Sequence, residues 1–319
     1  MEGAVERYAG SSPLGEMIRY HFGYGRAEPV RRGKRLRPQL LLRVAVAEGA
    51  DVRTALDPAI AVEILHNYSL VHDDIEDGDE LRHGRRTVWA EYGVAHGINT
   101  GDALCALSYL TILNAGGVDD AVRARMARVL HEGNLAMCRG QALDISFETR
   151  AAVSMGEYRA MIEGKTAALF ATCCELGALA AGASAERARA YAALGAAYGV
   201  AFQVRDDVLG TWGSPEVTGK PSGADIARRK WAFPVVWALE QPGSAARAAV
   251  AAAYAEGQSV DAAQVASVVA ALDELGAREA ADAEADRALE LAAGIAREGE
   301  LDRDGEIRDF LAQGARRVA

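Results

Sequence analysis

Asp73, Asp74, Glu76, Asp77, Asp79 and Glu80 place six acids in eight consecutive positions, directly after the apolar run that carries Leu65, Leu70 and Val71. Ile60, Ile64, Tyr68, Val71 and Ile75 are spaced by four, four, three and four, which traces one face of a helix. On that helix Asp73 and Asp77 share a face, and His66 lies two turns earlier on nearly the same side. Asp74 points elsewhere. Like charges four apart oppose an exposed helix by roughly 0.2–0.5 kcal/mol per pair. Acids at a helix C-terminus also meet the unfavourable end of the dipole. A bound cation offsets both effects. Mg²⁺ suits the donors, because it takes one or two carboxylates, keeps several waters and binds phosphate. Zinc and calcium suit them less: there is no His/Cys set at ligand spacing and no loop of alternating oxygen ligands. Taken alone, DDxxD is equally compatible with a solvated acidic helix end.

A second acidic pair, Asp206 and Asp207, ends another apolar helical run, "YGVAFQVRDD", after Phe202, Gln203 and Arg205. Two such helix ends facing across a cavity can hold several Mg²⁺ ions. The basic counterpart is "RRGKRLRP", with Arg31, Arg32, Lys34, Arg35 and Arg37. Bidentate guanidinium groups in an otherwise acidic chain make a local anion site. Arg82, Lys165, Lys220 and Lys230 are further scattered cations, and any one of them alone reads as a surface charge. The basic cluster is short and lacks interleaved aromatics, so it does not suit nucleic acid. No GxxxxGK[ST] phosphate loop occurs. Acids for Mg²⁺, bases for phosphate and apolar helices together suit a diphosphate that carries a hydrocarbon chain.

The whole chain limits the alternatives. Its 319 residues carry a net charge of -10, which argues against nucleic acid or an anionic membrane as the main partner. Cys105, Cys138, Cys173 and Cys174 have no zinc spacing, and the adjacent pair fits a reduced, cytoplasmic protein. The start "MEGAVERYAG" has no basic segment followed by an apolar run, and no long uncharged apolar stretch suggests a membrane segment. No Ser/Gly/Pro-rich spacer divides the sequence, so one domain over 1–319 is expected. No proline occurs between Pro58 and Pro215, and this stretch is rich in helix formers. Val122, Met126, Val129, Leu130, Leu135 and Met137 repeat the helical spacing, and the segment around Gly276 reads as a break between two amphipathic helices. Alternating strand patterns with hairpin turns are absent. The expected fold is all-α: a single large bundle of about ten or more helices surrounding a central cavity.

In their order and spacing, "GKRLRP", "HDDIED", "GQALDI", "GKTAALF", "FQVRDD" and "GKPSGADIARRKWAFP" resemble the trans-isoprenyl diphosphate synthase family, from Gly33 to about Pro234. The resemblance implies the isoprenoid synthase fold, a homodimer, Mg²⁺ and a prenyltransferase that joins isopentenyl diphosphate to an allylic diphosphate. Lys34, Arg37 and His66 match positions that hold isopentenyl diphosphate. Asp73 and Asp77 match ligands of two Mg²⁺ ions and Asp206 the main ligand of a third, with Asp74 and Asp207 in support. Arg82, Lys165 and Lys220 match groups that grip the allylic diphosphate, and Lys230 a basic position of the same region. Thr166 and Gln203 match residues beside the reacting carbons.

Several positions depart from the family pattern. His83 stands where a second Arg is usual, which makes that part of the isopentenyl diphosphate grip weaker or pH-dependent. Arg86 replaces a common proline, and Gly210 replaces the last Asp of the second DDxxD. A terpene cyclase is the nearest alternative enzyme, but Lys34, Arg37 and the pair Asp206/Asp207 argue against it. A non-catalytic partner subunit would be expected to lose its acids. Product length is expected to depend on Tyr68 and Ser69, which lie below Asp73 at about 7.5 Å and 6 Å of axial rise. A tyrosine floor beside a small serine resembles the type that stops at the C20 geranylgeranyl product, with C15 farnesyl diphosphate as the alternative.

Overall fold

The computed structural model describes residues 1–25, 33–218, 221–255, 260–302 and 304–316. They form two compact units, one of residues 1–131 with 175–188 and one of 132–174 with 189–319. The helices in chain order begin with α1 (Glu2–Tyr8), α2 (Pro13–Phe22), α3 (Leu36–Ala47), α4 (Leu56–Glu76), α5 (Val88–Tyr92) and α6 (Val94–Leu113). Next come α7 (Asp120–Phe147), α8 (Met155–Ile162), α9 (Ala168–Ala180), α10 (Ala185–Trp212), α11 (Pro215–Thr218) and α12 (Ala224–Ala227). The last five are α13 (Phe233–Glu240), α14 (Ala245–Ala253), α15 (Ala262–Leu275), α16 (Ala277–Glu298) and α17 (Glu306–Arg316). Among the described residues no helix is long and apolar enough to cross a membrane.

In the first unit α4 packs along α6. Two small residues one turn apart make this possible. A methyl group on Gly97 would lie 2.8 Å from Ile75 Cδ1, and one on Gly101 would lie 2.2 Å from the His72 ring. Any larger residue there would have to displace the Ile75 and His72 side chains of α4. Val5, Ile18, Ile64, Val71, Val88, Leu104 and Leu107 form the core behind it.

In the second unit α8 starts at a capping box, in which Ser154 Oγ accepts from the Glu157 backbone and Glu157 bonds back to the Ser154 N–H. A single π-helical turn, Glu163–Ala167, joins α8 to α9. Tyr158, Val204, Val208, Trp231, Phe233 and Tyr254 form the core around them. The expected break falls where the glycine stands: α15 ends at Gly276, whose φ of 76° closes the helix, and α16 starts beside it.

The helical reading fails at two points. A short antiparallel hairpin, β1 (Leu81–Arg82) with β2 (Arg85–Arg86), follows the first acidic motif. His83 and Gly84 form its turn at φ of 52° and 77°, as a two-residue turn with two left-handed positions requires. Two-residue strands are too short to show an alternating pattern. Leu135, placed on the apolar face of α7, is 52% exposed.

Candidate active site

The first set of functional side chains sits at the C-terminal end of α4. The Asp77 N–H bonds to the Asp73 carbonyl, and Gly78 at φ 66° turns the chain out of the helix. Asp73 is half-buried and Asp77 exposed, whereas Asp74 turns inward and is only 2% exposed. Its Oδ1 accepts from Arg82 Nε at 2.7 Å. Burial pushes the Asp74 acid up to about 6, with Arg82 pulling the other way. The hairpin thus carries an Arg back to the one acid of the motif that points inward.

Behind these acids, Arg37 of α3 donates to His66 Nε2 at 3.3 Å. Guanidinium has no acceptor, so His66 Nε2 carries the lone pair. Burial and the nearby Arg37 and Arg82 charges hold the His66 pKa well below its usual value. A neutral His66 adds no second positive charge beside Arg37. Lys34 is exposed just before α3. Tyr68 is half-buried against the core, edge-on to His72 at 5.1 Å between ring centroids. Ser69 Oγ donates to the His66 carbonyl at 2.9 Å.

Three neighbours of this site have no signal in the sequence. His21 bonds to Asn67 Oδ1 at 2.9 Å, and Arg85, cross-strand from Arg82, donates to the carbonyls of Tyr20 and His21. No spacing rule links position 21 to 67 or 85. Burial brings the His21 pKa down to about 4, with Arg82 and Arg85 adding to the effect and the Asn67 bond opposing it. The consequence for stability has a definite sign. Unfolded His21 takes up a proton near its ordinary value, whereas the folded residue stays neutral until about pH 4. Its contribution is complete above the ordinary value and is lost as pH falls between the two, by at most about 3 kcal/mol. The wild type should therefore lose stability faster than His21→Gln when urea midpoints are followed from about pH 7 down to about 4.5. Equal pH slopes for the two proteins would refute this account.

The second set lies on α7, the π turn and α10. A methyl group on Gly140 would lie 2.0 Å from the Lys165 backbone nitrogen, and one on Gly164 would lie 2.8 Å from the Ala136 carbonyl. The glycines of "GQALDI" and "GKTAALF" therefore let the π turn rest directly on α7. The Lys165 ammonium pairs there with Asp144. A π turn also shifts the helix register, which re-aims the side chains after it. Thr166 Oγ1 donates to Gln203 Oε1 at 2.5 Å, and Gln203 Nε2 donates to Asp207 Oδ1 at 2.8 Å. Asp207 Oδ2 accepts from the Tyr158 hydroxyl at 2.6 Å and from the Phe233 N–H at 2.8 Å. Burial outweighs these three bonds and pushes the Asp207 acid up to about 7. Its neighbour Asp206 is exposed. Arg205, beside the pair, turns to Asp282 and Asp286 of α16.

The sequence-predicted residues thus fall into two groups. Arg37, His66, Asp73, Asp74, Asp77 and Arg82 come together around α4, with His83 exposed at the hairpin tip. Lys165, Thr166, Gln203, Asp206 and Asp207 come together in the second unit. Lys230 follows α12, and its N–H bonds to the Asp225 carbonyl at 2.9 Å. Lys220 lies outside the described residues. Among the described residues no three His, Cys, Asp or Glu side chains already converge as a metal cluster. Asp73 and Asp77 at the end of α4, and separately Asp206 near the end of α10, carry hard carboxylate oxygens of the kind that suits Mg²⁺.

The family model described as polyprenyl synthetase matches residues 26–272. The chain belongs to this family. It is 43% identical over 235 residues to a (2E,6E)-farnesyl diphosphate synthase of Mycobacterium bovis, a match that covers 72% of the chain and 65% of that relative. The chain thus spans 65% of the length of this relative. It is also 43% identical to a geranylgeranyl diphosphate synthase of Mycobacterium tuberculosis, over 73% of the chain and 67% of that relative. The crystal structure of a polyprenyl synthetase from Streptomyces coelicolor superimposes with a TM-score of 0.90 at 35% identity, covering 100% of this chain and 95% of that one. The family's all-α isoprenoid synthase fold is therefore the fold of this chain, as the motifs led one to expect.

Proposed function

We propose that the protein condenses isopentenyl diphosphate head-to-tail (1'-4) with an allylic prenyl diphosphate to give a short all-trans product. The observation that carries this reading is the two-sided chemistry of α4. Asp73 and Asp77 present carboxylates at its end, while Arg37 and neutral His66 present an anion site two turns earlier. Family membership and the 43% identity to synthases of this kind support it. The 319 residues are assigned to one domain, because the chain leaves and re-enters each unit rather than completing one before starting the other.

Asp73, Asp77 and Asp206 would hold Mg²⁺, whose three ions would neutralise the diphosphate and make it a good leaving group. Asp74 and Asp207 would support the same ions, Asp74 held by Arg82 and Asp207 by Gln203 and Tyr158. Lys34, Arg37, His66 and His83 bind the isopentenyl diphosphate. Arg82, Lys165, Lys220 and Lys230 bind the allylic diphosphate. Thr166 and Gln203 direct oxygen dipoles toward the electron-poor allylic carbon. In the reaction the allylic C–O bond breaks, the isopentenyl alkene forms the new C–C bond, and one proton is lost, taken up by the departing diphosphate.

Purified protein with isopentenyl diphosphate, an allylic diphosphate and Mg²⁺ should give a longer prenyl diphosphate on chromatography. Cyclic hydrocarbons, or no product from any allylic primer, would overturn the assignment. The C20 geranylgeranyl product is preferred because Tyr68 stands against the core below Asp73 beside the small Ser69. The equal identity to a farnesyl diphosphate synthase keeps C15 as the second reading. Tyr68→Ala should shift the product to longer chains. An unchanged distribution in an active variant would place the floor on another helix. A homodimer is also proposed, supported by exposed Val94, Ile98, Leu110 and Leu113 along α6, and light scattering would test it. A cytoplasmic location is part of the same reading.

A further inference from the structure

Arg82 and Arg85 stand directly opposite each other across the β1–β2 hairpin. Like charges in that position repel, and two strands of two residues hold little register of their own. The hairpin is fixed from either side instead. On one side Arg82 Nε donates to Asp74 Oδ1 at the end of α4, at 2.7 Å. On the other, Arg85 reaches the last turn of α2. The last carbonyls of a helix lack partners one turn further on, and a cation there also meets the favourable end of the dipole. Arg85 Nη2 donates to the Tyr20 carbonyl and, at 2.8 Å, to the His21 carbonyl. The guanidinium carbon lies 4.7 Å from the centre of the Tyr20 ring. The contact is reciprocal: the Tyr20 hydroxyl donates to the Arg86 carbonyl at 2.9 Å, and Tyr92 of α5 stands edge-on to the Tyr20 ring at 5.2 Å between centroids. Tyr20 and Arg85 thus each hold the backbone of the other's element. The same turn of α2 is tied to α4 through His21 and Asn67, at 2.9 Å. The contacts close a circuit, from α4 through Arg82 to the hairpin, through Arg85 to α2, and through His21 back to α4.

We propose that Arg85 is a positioning residue of the substrate site: by clasping α2 it sets the place of the hairpin, and with it that of Arg82 and His83 toward the two diphosphates. The inference rests on the reading that Arg82 and His83 bind the substrates. Arg85 is assigned no contact with either diphosphate, because its guanidinium is engaged by α2.

The test is steady-state kinetics of the full-length protein, with each substrate varied at saturating Mg²⁺. Arg85→Met should raise the KM for isopentenyl diphosphate, assigned to His83, and that for the allylic diphosphate, assigned to Arg82. The expected rise is about 10–100-fold, the scale of loss that a small misplacement from a remote mutation produces. Its kcat should stay within about threefold of the wild type, the pattern of lost binding shared by ground and transition states. Arg85→Lys keeps a cation at the helix end and should recover part of the loss. Tyr20→Phe deletes only the hydroxyl that holds the Arg86 carbonyl, removes no charge, and should raise the same two KM values by a smaller factor. That shared rise separates positioning from the mere loss of a positive charge near the site. Should Arg85→Met not fold, Arg85→Lys and Tyr20→Phe carry the same comparison. An Arg85 that only stabilises the fold would lower the melting temperature and leave both KM values as in the wild type. That result would overturn the proposal, as would a rise in Arg85→Met that Tyr20→Phe does not share. Arg82→Met serves as the reference. If it raises the allylic KM and Arg85→Met raises neither, the inference about Arg85 alone fails. If neither variant raises either KM, the assignment of the hairpin to the substrates fails with it.

Discussion

Asp206→Ala is expected to lower turnover by about 10²–10³-fold, the usual loss when a group that stabilises developing charge is removed. Its effect on stability should stay within about 0.5 kcal/mol, as for other surface changes. The side chain is exposed on the last turns of α10, and alanine favours the helix. Asp73→Ala should lower turnover alike. The Asp73 bond that closes α4 runs from its backbone carbonyl to the Asp77 N–H and survives the substitution. Turnover at saturating Mg²⁺, set beside urea midpoints, checks both halves of the expectation. Wild-type turnover in either variant, or wild-type turnover in EDTA, would remove these acids from the reaction.

The neighbouring substitution should have the opposite profile. Asp207→Ala deletes the shared acceptor of the Tyr158 hydroxyl, the Phe233 N–H and the Gln203 amide at a position only 6% exposed. Orphaned buried donors cost about 1–3 kcal/mol each, partly relieved by relaxation, so a loss of roughly 3–5 kcal/mol is expected. The urea midpoint should fall accordingly. Gln203 also loses its anchor, and with it the acceptor that orients Thr166. Turnover per folded molecule should therefore fall as well. A variant as stable as the wild type would show that the three donors find other partners and that the network does not hold α8, α10 and α13 together.

These two neighbours show where sequence and structure divide the work. Helical spacing alone placed Asp73 and Asp77 on one face of α4, ended α15 at Gly276 and set DDxxD and the second acidic pair at the ends of apolar runs, because a 3.6-residue period and a left-handed glycine are local properties. Ordered motifs were enough to place the chain in its family. Which member of each acidic pair turns inward was not legible. Asp74 and Asp207 are carboxylates like their neighbours, and only the packing of Arg82 from a hairpin, or of Tyr158 and the Phe233 N–H from α8 and α13, makes them buried acceptors. The hairpin was too short for its alternation to show. Gly140 and Gly164 read as motif letters until the contact between α7 and the π turn gave each its reason. His21 meets Asn67, and Asp225 fills the space beside Gly210, across 46 and 15 positions of sequence. Periodicity describes one element at a time, so contacts between elements are decided only when the helices pack.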